Sequence, residues 1–549
     1  MFSSNALEKL KVHSVGRGAG ICSVLIGIVS FFVFTGGHIL NPLYTSWLMA
    51  GDPAQHWLGW QFFSHTPLWQ WPLGKNYPFG MEVSSSIVYT DSLPLLAIPL
   101  KLLAVVFPEV PQYTGFWIFL CFILQSVVSY KLLLRWTQDS IYALICCAFF
   151  SFAPVFIFRL VGHFALAGQW VILLALYFYF DRAFSILRWL LVSLLAVSIH
   201  AYLLAMVFAI YGAALLKAGL KQRQKWTILL VSLLATAIAV AFAMWAIGYF
   251  VVKGGQAAGG FGIYRMDLAA MWNPGFKEFS RFLRPNNGAL DNLEGFNYLG
   301  LGMLLLCSYA ALSSVVRREG AGLLKRTAFE PLSWMLLGIF IYALSNTVSW
   351  AGTPVFEYSL PVWISSLTNT FRASGRFFWV TYYVIFLMAF LLAWKWAGKR
   401  ARYIALCALI IQFYDVQVFQ RFLVSHFAQE NSYRKEFSGY PWDAAVVGKR
   451  NLIALYPDQM TPYWMQFGEF AAQHDLNMNF GWFARVDPAA KERQAELLRI
   501  KMETHDFQKE DIYLLPAGQC GLWLGKAASG FHCQETKYAG VLFFDPGKD

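Results

Sequence analysis

Apolar runs of about 20 residues, the length that crosses a bilayer, recur through the first three-quarters of the chain. Between them, strongly basic stretches fall on every second loop. Lys and Arg are retained on one side of a membrane during insertion, so this alternation leaves one architecture open: helices threading a bilayer. Composition agrees. The 549 residues are 58% hydrophobic and 13% charged, with mean hydropathy +0.48, whereas soluble domains carry about 25% charge. The formal charge of +12 comes from short clusters between apolar runs rather than one basic face, which excludes nucleic acid as a partner.

With the basic N-terminus inside, ICSVLIGIVSFFVFTGGHIL is a first, uncleaved span at about 20–40, because no A-x-A site follows it. SLPLLAIPLKLLAVVF, with two prolines and Lys101, is a partial helix. A full crossing there would turn every later basic cluster outward. YTGFWIFLCFILQSVVSYKLLL returns to Arg135, and spans near 140–158 and 164–180 follow, the latter ending at Asp181, Arg182 and Arg188. Further spans end at Lys217, Lys221, Arg223 and Lys225, at Arg317, Arg318, Lys325 and Arg326, and at Lys395, Lys399, Arg400 and Arg402. The total is about eleven spans in residues 1–420, and the last, near 402–420, delivers the C-terminus outside.

Residues 421–549 have ordinary charge content. NLIALY, DIYLL and GVLFF read as strands, and PAAKERQAELLRIKMET reads as a helix capped by Asp487 with Pro488 in its first turn. The expected fold is therefore mainly α, a polytopic membrane protein with a small extracytoplasmic C-terminal α/β domain. Cys22, Cys121, Cys146, Cys147, Cys307 and Cys407 lie in apolar runs as small core residues. Cys520 and Cys533 can be bridged if their compartment is oxidising; spacing alone does not decide it.

The polar, aromatic stretch Gly51–Asp91 is the natural place for chemistry at the membrane surface. Asp52-Pro-Ala-Gln reads as a helix start, with Asp as cap, Pro at the first helical position and Gln closing a capping box. A capping role and a catalytic one are compatible for Asp52. His56, four residues on, shares its face. Trp57, Trp60 and Phe63 recur at helical spacing, suited to an interfacial helix. Asp91 heads the Pro-rich partial helix, while Glu82 has no local task. Three carboxylates are also compatible with a divalent cation, Mg or Mn, with Asp52 and Glu82 as its ligands. Outward cations form a second set: Arg159 and His163 in FRLVGHFALAGQ, His200 beside Tyr202, then Arg265, Arg281 and Arg284. Arg372 and Arg376 in NTFRASGRFFW are four apart, so one helical turn would aim both at one anion.

The order of parts resembles the GT-C superfamily of membrane glycosyltransferases, which includes the protein mannosyltransferases and the aminoarabinose transferases of lipid A. SLPLLAIPLKLLAVVF is similar to their PPLxxWLIALxxxLFG stretch, and YKLLLRWTQDSIYALICCAFFSFAPVFIFRL to their YLLARRLFGRRxALLAALLLATSPLF stretch. GDPAQHWLGW resembles the opening of a group of bacterial membrane proteins placed near this superfamily. The likeness covers about the first 200 residues and the outline of the rest. The doubled acid of many relatives is absent, because Pro53 follows Asp52.

The resemblance implies inverting transfer of a sugar from a polyprenyl-phosphate donor to a glycan, lipid or protein acceptor at the outer face of a bacterial inner membrane, with loops and C-terminal domain in the periplasm. Asp52 would be the general base, helped by His56 or Glu82. Arg372 and Arg376, then Arg159, would hold the phosphate, with His163, Asp91 and His200 lining the substrate. Trp57, Trp60, Trp69 and Trp71 would stack on sugar or lipid. The alternatives are a transporter or flippase of lipid-linked glycans and a non-catalytic assembly protein.

Overall fold

A computed structural model of the chain describes residues 4–104, 106, 110–253, 261–276, 278–286, 293–318, 330–431 and 440–545, with the backbone alone at 4–17, 293, 362, 366 and 367. Lys325, Arg326 and most of the glycine-rich stretch 254–262 lie outside the described residues. The first part of the chain forms helices α1 (Ser4–Thr35), α2 (Asp52–Ser64), α3 (Pro94–Leu103), α4 (Thr114–Thr137), α5 (Ser140–Ser151), α6 (Trp170–Tyr179), α7 (Ile186–Ile199), α8 (Ala201–Leu220) and α9 (Trp226–Ile247). Then come α10 (Leu301–Val316), α11 (Pro331–Leu344), the strands β1 (Thr347–Trp350) and β2 (Thr353–Glu357), α12 (Trp379–Ala397) and α13 (Ala401–Phe427). The C-terminal part holds β3 (Asn451–Ala454), α14 (Trp464–Gln473), β4 (Asn477–Met478), α15 (Pro488–Thr504), β5 (Asp511–Pro516), β6 (Phe531–Glu535) and β7 (Ala539–Phe544).

Among the described residues, five stretches are long and apolar enough to cross a membrane: Gly18–Thr35, Thr114–Thr137, Ala201–Leu220, Trp226–Ile247 and Ser374–Phe427. The about eleven spans expected from apolar runs are not found at full length. The run at 140–158 breaks at Pro154, where the chain bends by 41° between α5 and Pro154–Leu160, since proline cannot donate to the preceding turn. The apolar helices α3, α7, α10 and α11 have 10–17 residues, as does the segment Phe164–Tyr179.

The chain separates into two compact units, each described here by itself. One comprises 1–41, 114–240 and 259–428; the other comprises 42–113, 241–258 and 429–549. In the first, α1 packs on α4 and α5, α10 on α12 and α13, and α8 on α6, α7 and α11. A buried acid inside this unit escaped the sequence reading. Asp415 of α13 is fully buried. Its Oδ2 accepts from Tyr298 Oη at 2.7 Å and from the Leu301 backbone N–H at 2.9 Å, and Ser280 Oγ donates to Oδ1. Gln412, one turn earlier, accepts from the Met303 N–H at 3.1 Å. A helix start leaves its first N–H groups without intrahelical partners, and for α10 they are met by side chains of α13.

In the second unit the sheet runs β4-β3-β5-β7-β6. β4, β3 and β5 are parallel, and β7 and β6 add antiparallel to β5. Tyr513, Leu515, Leu542, Leu498, Phe507 and Trp523 make one apolar core. Asp487 caps α15 as expected, accepting from Ala490 N–H at 3.0 Å. Cys520 and Cys533 are disulfide-bonded, with Cα atoms 5.4 Å apart. Among the free cysteines Cys121, Cys146 and Cys147 are buried as expected, whereas Cys22 and Cys407 are exposed on helix surfaces.

The loop after α1 belongs to the same unit as the C-terminal sheet. Phe79 pairs with Met478 in a parallel bridge. Met478 N–H donates to Pro78 O and Gly80 N–H to Met478 O, both at 2.8 Å. Asp487 N–H reaches Val83 O at 2.9 Å, and α14 packs on α2. Segment 78–83 thus extends the sheet past β4, covering an edge that would otherwise expose unpaired backbone.

Candidate functional site

In the first unit, charged side chains from three separate stretches meet on Glu294, which sits in the 3-10 turn Leu293–Gly295. Its Oε2 accepts from Arg159 Nη1 at 2.9 Å and from Arg376 Nε at 2.5 Å. His163 Nε2 lies 3.7 Å from Oε1. Arg159 is 3% exposed, its guanidinium 4.7 Å from the Phe158 ring and 5.4 Å from that of Trp379. Arg376 lies 4.8 Å over the Tyr202 ring. Tyr202 is within electrostatic reach of Arg376, Glu294 and Arg372. Burial alone would raise the Glu294 pKa, but the nearby Arg159 and Arg376, with His163 adding less, hold its carboxyl well below the usual range.

The backbone brings these groups together by a tight crossing. Gly375 has room for no side chain: a Cβ there would lie 2.7 Å from Gly295 Cα and 3.0 Å from Glu294 O. Asn297 Nδ2 bridges the two strands of this crossing, donating to Gly295 O and Gly375 O at 3.1 Å each. The crossing also corrects the expectation for the arginine pair. Arg372 and Arg376 do not share a helical turn, because Ala373 leaves helical geometry (φ −81, ψ 68) and separates two 3-10 segments. Arg376 goes to Glu294, whereas the Arg372 guanidinium lies 5.4 Å from the Tyr264 ring.

Other predicted cations are placed differently. His200 caps α8, its Nδ1 accepting from Tyr202 N–H at 3.1 Å. Arg265 Nε donates to Ser349 Oγ at 3.2 Å, Arg281 Nη1 donates to Gln417 at 3.0 Å, and Arg284 is exposed.

The second unit holds the acids. Gly51, at φ 58 and ψ −138, takes the cap position of α2, a conformation that suits glycine. Asp52 is therefore the first helical residue and not the cap. The expected capping box does not form, and Gln55 Nε2 instead donates to Trp482 O at 2.5 Å. Asp52 gains from the positive end of α2. His56 is buried, with Nδ1 3.0 Å from Asp91 O, and Ser92 Oγ donates to His56 O at 2.9 Å. The turn at Asp91 (φ 54) is thereby fastened to the first turns of α2. Glu82 is exposed on the turn after Met81, so a cation shared by Asp52 and Glu82 finds no enclosed ligand pair there. Trp57 and Trp60 do not present a surface face. They are buried, and their indoles donate to Pro111 O and Val110 O at 3.0 and 2.8 Å. Trp69 and Trp71 are the exposed indoles of this loop.

Residues 24–417 match the model of a family described as "Domain of unknown function (DUF6311)". The chain belongs to that family. Residues 441–543 match the DUF6311 C-terminal domain, so both charged clusters lie inside the larger matched region and the β3–β7 sheet inside the smaller. Comparison with curated proteins gives no match.

Glu294, like Asp415, is a residue that sequence reasoning missed. It is one of several acids in the loop 253–296, beside Asp267, Glu278 and Asp291, and no spacing links it to Arg159 or Arg376.

Proposed function

We propose that the chain is an inverting membrane glycosyltransferase of GT-C type, moving a sugar from a polyprenyl-phosphate donor to a glycan, lipid or protein acceptor. The observation that carries this is the arginine cluster on Glu294. Two guanidiniums are buried and held in place by one shared carboxylate. Such a cluster is preorganised for a departing phosphate, because its reorganisation is complete before the reaction. Arg376, Arg159 and Arg372 take the phosphate charge. Asp52 takes the acceptor proton as general base, with His56 fixing the turn that carries Asp91.

The reaction is placed at the outer face of a bacterial inner membrane. In this arrangement the bent α5–Leu160 pair and the shorter helices α6, α7, α10 and α11 cross together with the five long stretches, Ser374–Phe427 crossing twice as α12 and α13. A 14-residue helix such as α11 is about 21 Å long, which calls for a locally thinned bilayer. The Cys520–Cys533 bond supports an oxidising compartment for the C-terminal domain.

Transport of lipid-linked glycans is the second reading, and Asp415 is the observation that favours it, since an acid inside a membrane helix often marks a pathway. Its oxygens, however, are taken up by Ser280, Tyr298 and Leu301. The deciding experiment is incubation of purified protein with radiolabelled polyprenyl-phosphate sugars. The enzyme releases polyprenyl phosphate, and Asp52→Asn does not; release by neither, with vesicle uptake of the lipid-linked sugar, sinks the transferase proposal.

A further inference from the structure

Strand β2 is exposed at all five positions, and the hairpin is antiparallel, with no third strand among the described residues. Beside Thr353 and Glu357, its exposed side chains are apolar or aromatic: Trp350, Pro354, Val355 and Phe356, followed by Tyr358 and Trp363, the last 73% exposed. Trp272 meets Trp350 edge-on at 5.6 Å, and Phe356 lies 5.7 Å from Tyr358. From Thr347 to Phe356, TVSWAGTPVF contains no charged residue. In water such a strand is a template for aggregation, and an isolated hairpin is marginal in stability.

This hairpin is nevertheless braced. The Asp267 carboxylate accepts from the N–H groups of Ala351 and Gly352 at its tip, each at 2.9 Å. Leu268 N–H donates to Ser349 O at 2.9 Å, and Arg265 Nε to Ser349 Oγ. Only Ser345 and Asn346 separate β1 from the apolar helix α11. Three residue steps span at most about 11 Å, so the base of the hairpin stays at the end of that helix.

We propose that the β1–β2 hairpin, with Trp363, is a membrane-seated element whose aromatic side chains lie in the headgroup layer of the bilayer. Three features select lipid as the occupant: continuity with an apolar helix, a single charge confined to Glu357 at the base of the hairpin, and Trp, Tyr and Phe, the residue types that populate bilayer interfaces. The brace extends this to the arginines. Segment 264–268 holds the hairpin and also receives Gly375 N–H on Tyr264 O at 3.0 Å, with Arg372 over the Tyr264 ring. Seating the hairpin therefore sets Arg372 at the depth of lipid phosphates, whether or not sugar transfer occurs.

The test uses the full chain with Cys22, Cys307 and Cys407 replaced by Ala. A nitroxide is placed at Val355→Cys or Phe356→Cys, and the protein is reconstituted in nanodiscs of phosphatidylcholine and phosphatidylglycerol. Leu337→Cys on α11 and Val447→Cys in the second unit, both exposed, serve as lipid and water references. At 355 and 356, collision with oxygen is expected to exceed collision with a water-soluble nickel chelate, as at 337. The opposite order, as at 447, overturns the proposal. Shielding from both reagents overturns it too, and indicates a protein occupant. Loss of polyprenyl-phosphate release alone bears on the enzyme and leaves this result standing.

Discussion

Arg159 and Arg376, 217 positions apart in the sequence, donate to the same oxygen, Oε2 of Glu294, at 2.9 and 2.5 Å. Neither cation is exposed, so removal of the shared carboxylate takes an ion-pair partner from two buried positive charges. Breaking a buried ion pair typically costs about 3–5 kcal/mol. Glu294→Gln is expected to lower the thermal unfolding midpoint in detergent clearly, and more than Glu294→Asp. Equal midpoints for Gln and wild type would remove Glu294 as the organiser of the cluster.

The same group gives a signed pH dependence. Its native pKa is held below the ordinary glutamate value of about 4.3, so between the two values the unfolded state binds more protons and stability rises with pH. The contribution is complete above the ordinary value and is lost as pH falls through the native one. The stability difference between wild type and Glu294→Gln should therefore be flat from neutral pH down to about 5 and shrink below about 4. A difference that shrinks already between pH 7 and 6 would contradict the depressed value.

Gly375 is predicted to be intolerant of even one methyl group, given its 2.7 Å approach to Gly295 Cα. Gly375→Ala should destabilise by about 1–3 kcal/mol, as overpacking does. It should also weaken donor use, read as a raised KM for the lipid-phosphate sugar, because it displaces Arg376 from Glu294. An unchanged KM would separate this crossing from the donor.

Because Gly51 rather than Asp52 occupies the cap position, Asp52→Asn should cost little stability. Loss of a capping side chain would cost about 1 kcal/mol. Loss of a general base lowers turnover by about 10²–10⁴-fold. A variant with native midpoint and reduced turnover is expected; a lower midpoint with full turnover reverses both assignments.

Asp415→Ala leaves the Tyr298 hydroxyl and the Leu301 N–H without their acceptor, at about 1–3 kcal/mol for each buried donor. Asp415→Asn keeps one oxygen and should be milder. If Ala and Asn behave alike, Asp415 does not cap α10 through these bonds.

Much of the architecture was legible because it is local. Apolar length marks the stretches long enough to cross a membrane, and the helix Pro488–Thr504 with its Asp487 cap could be read from its own contiguous residues. Pro154 shows the limit: it lies inside an apolar run whose hydropathy conceals the break. What was not legible depends on residues far apart. Arg372 and Arg376 look like one helical turn until Gly375 N–H is found committed to Tyr264 O. Trp57 and Trp60 look interfacial until carbonyls about 50 residues on accept their indole N–H groups. Glu294 and Asp415 find their partners only through tertiary packing, which hydrophobic periodicity does not encode.

The bridge between Phe79 and Met478 has a consequence for how the molecule is made. Segment 78–83 emerges from the ribosome long before its partner strand exists, and all the later helices must be inserted in the interval. Segment 78–83 therefore waits without its partner until synthesis has passed Met478, and the first loop of this unit is completed only when its last strands fold.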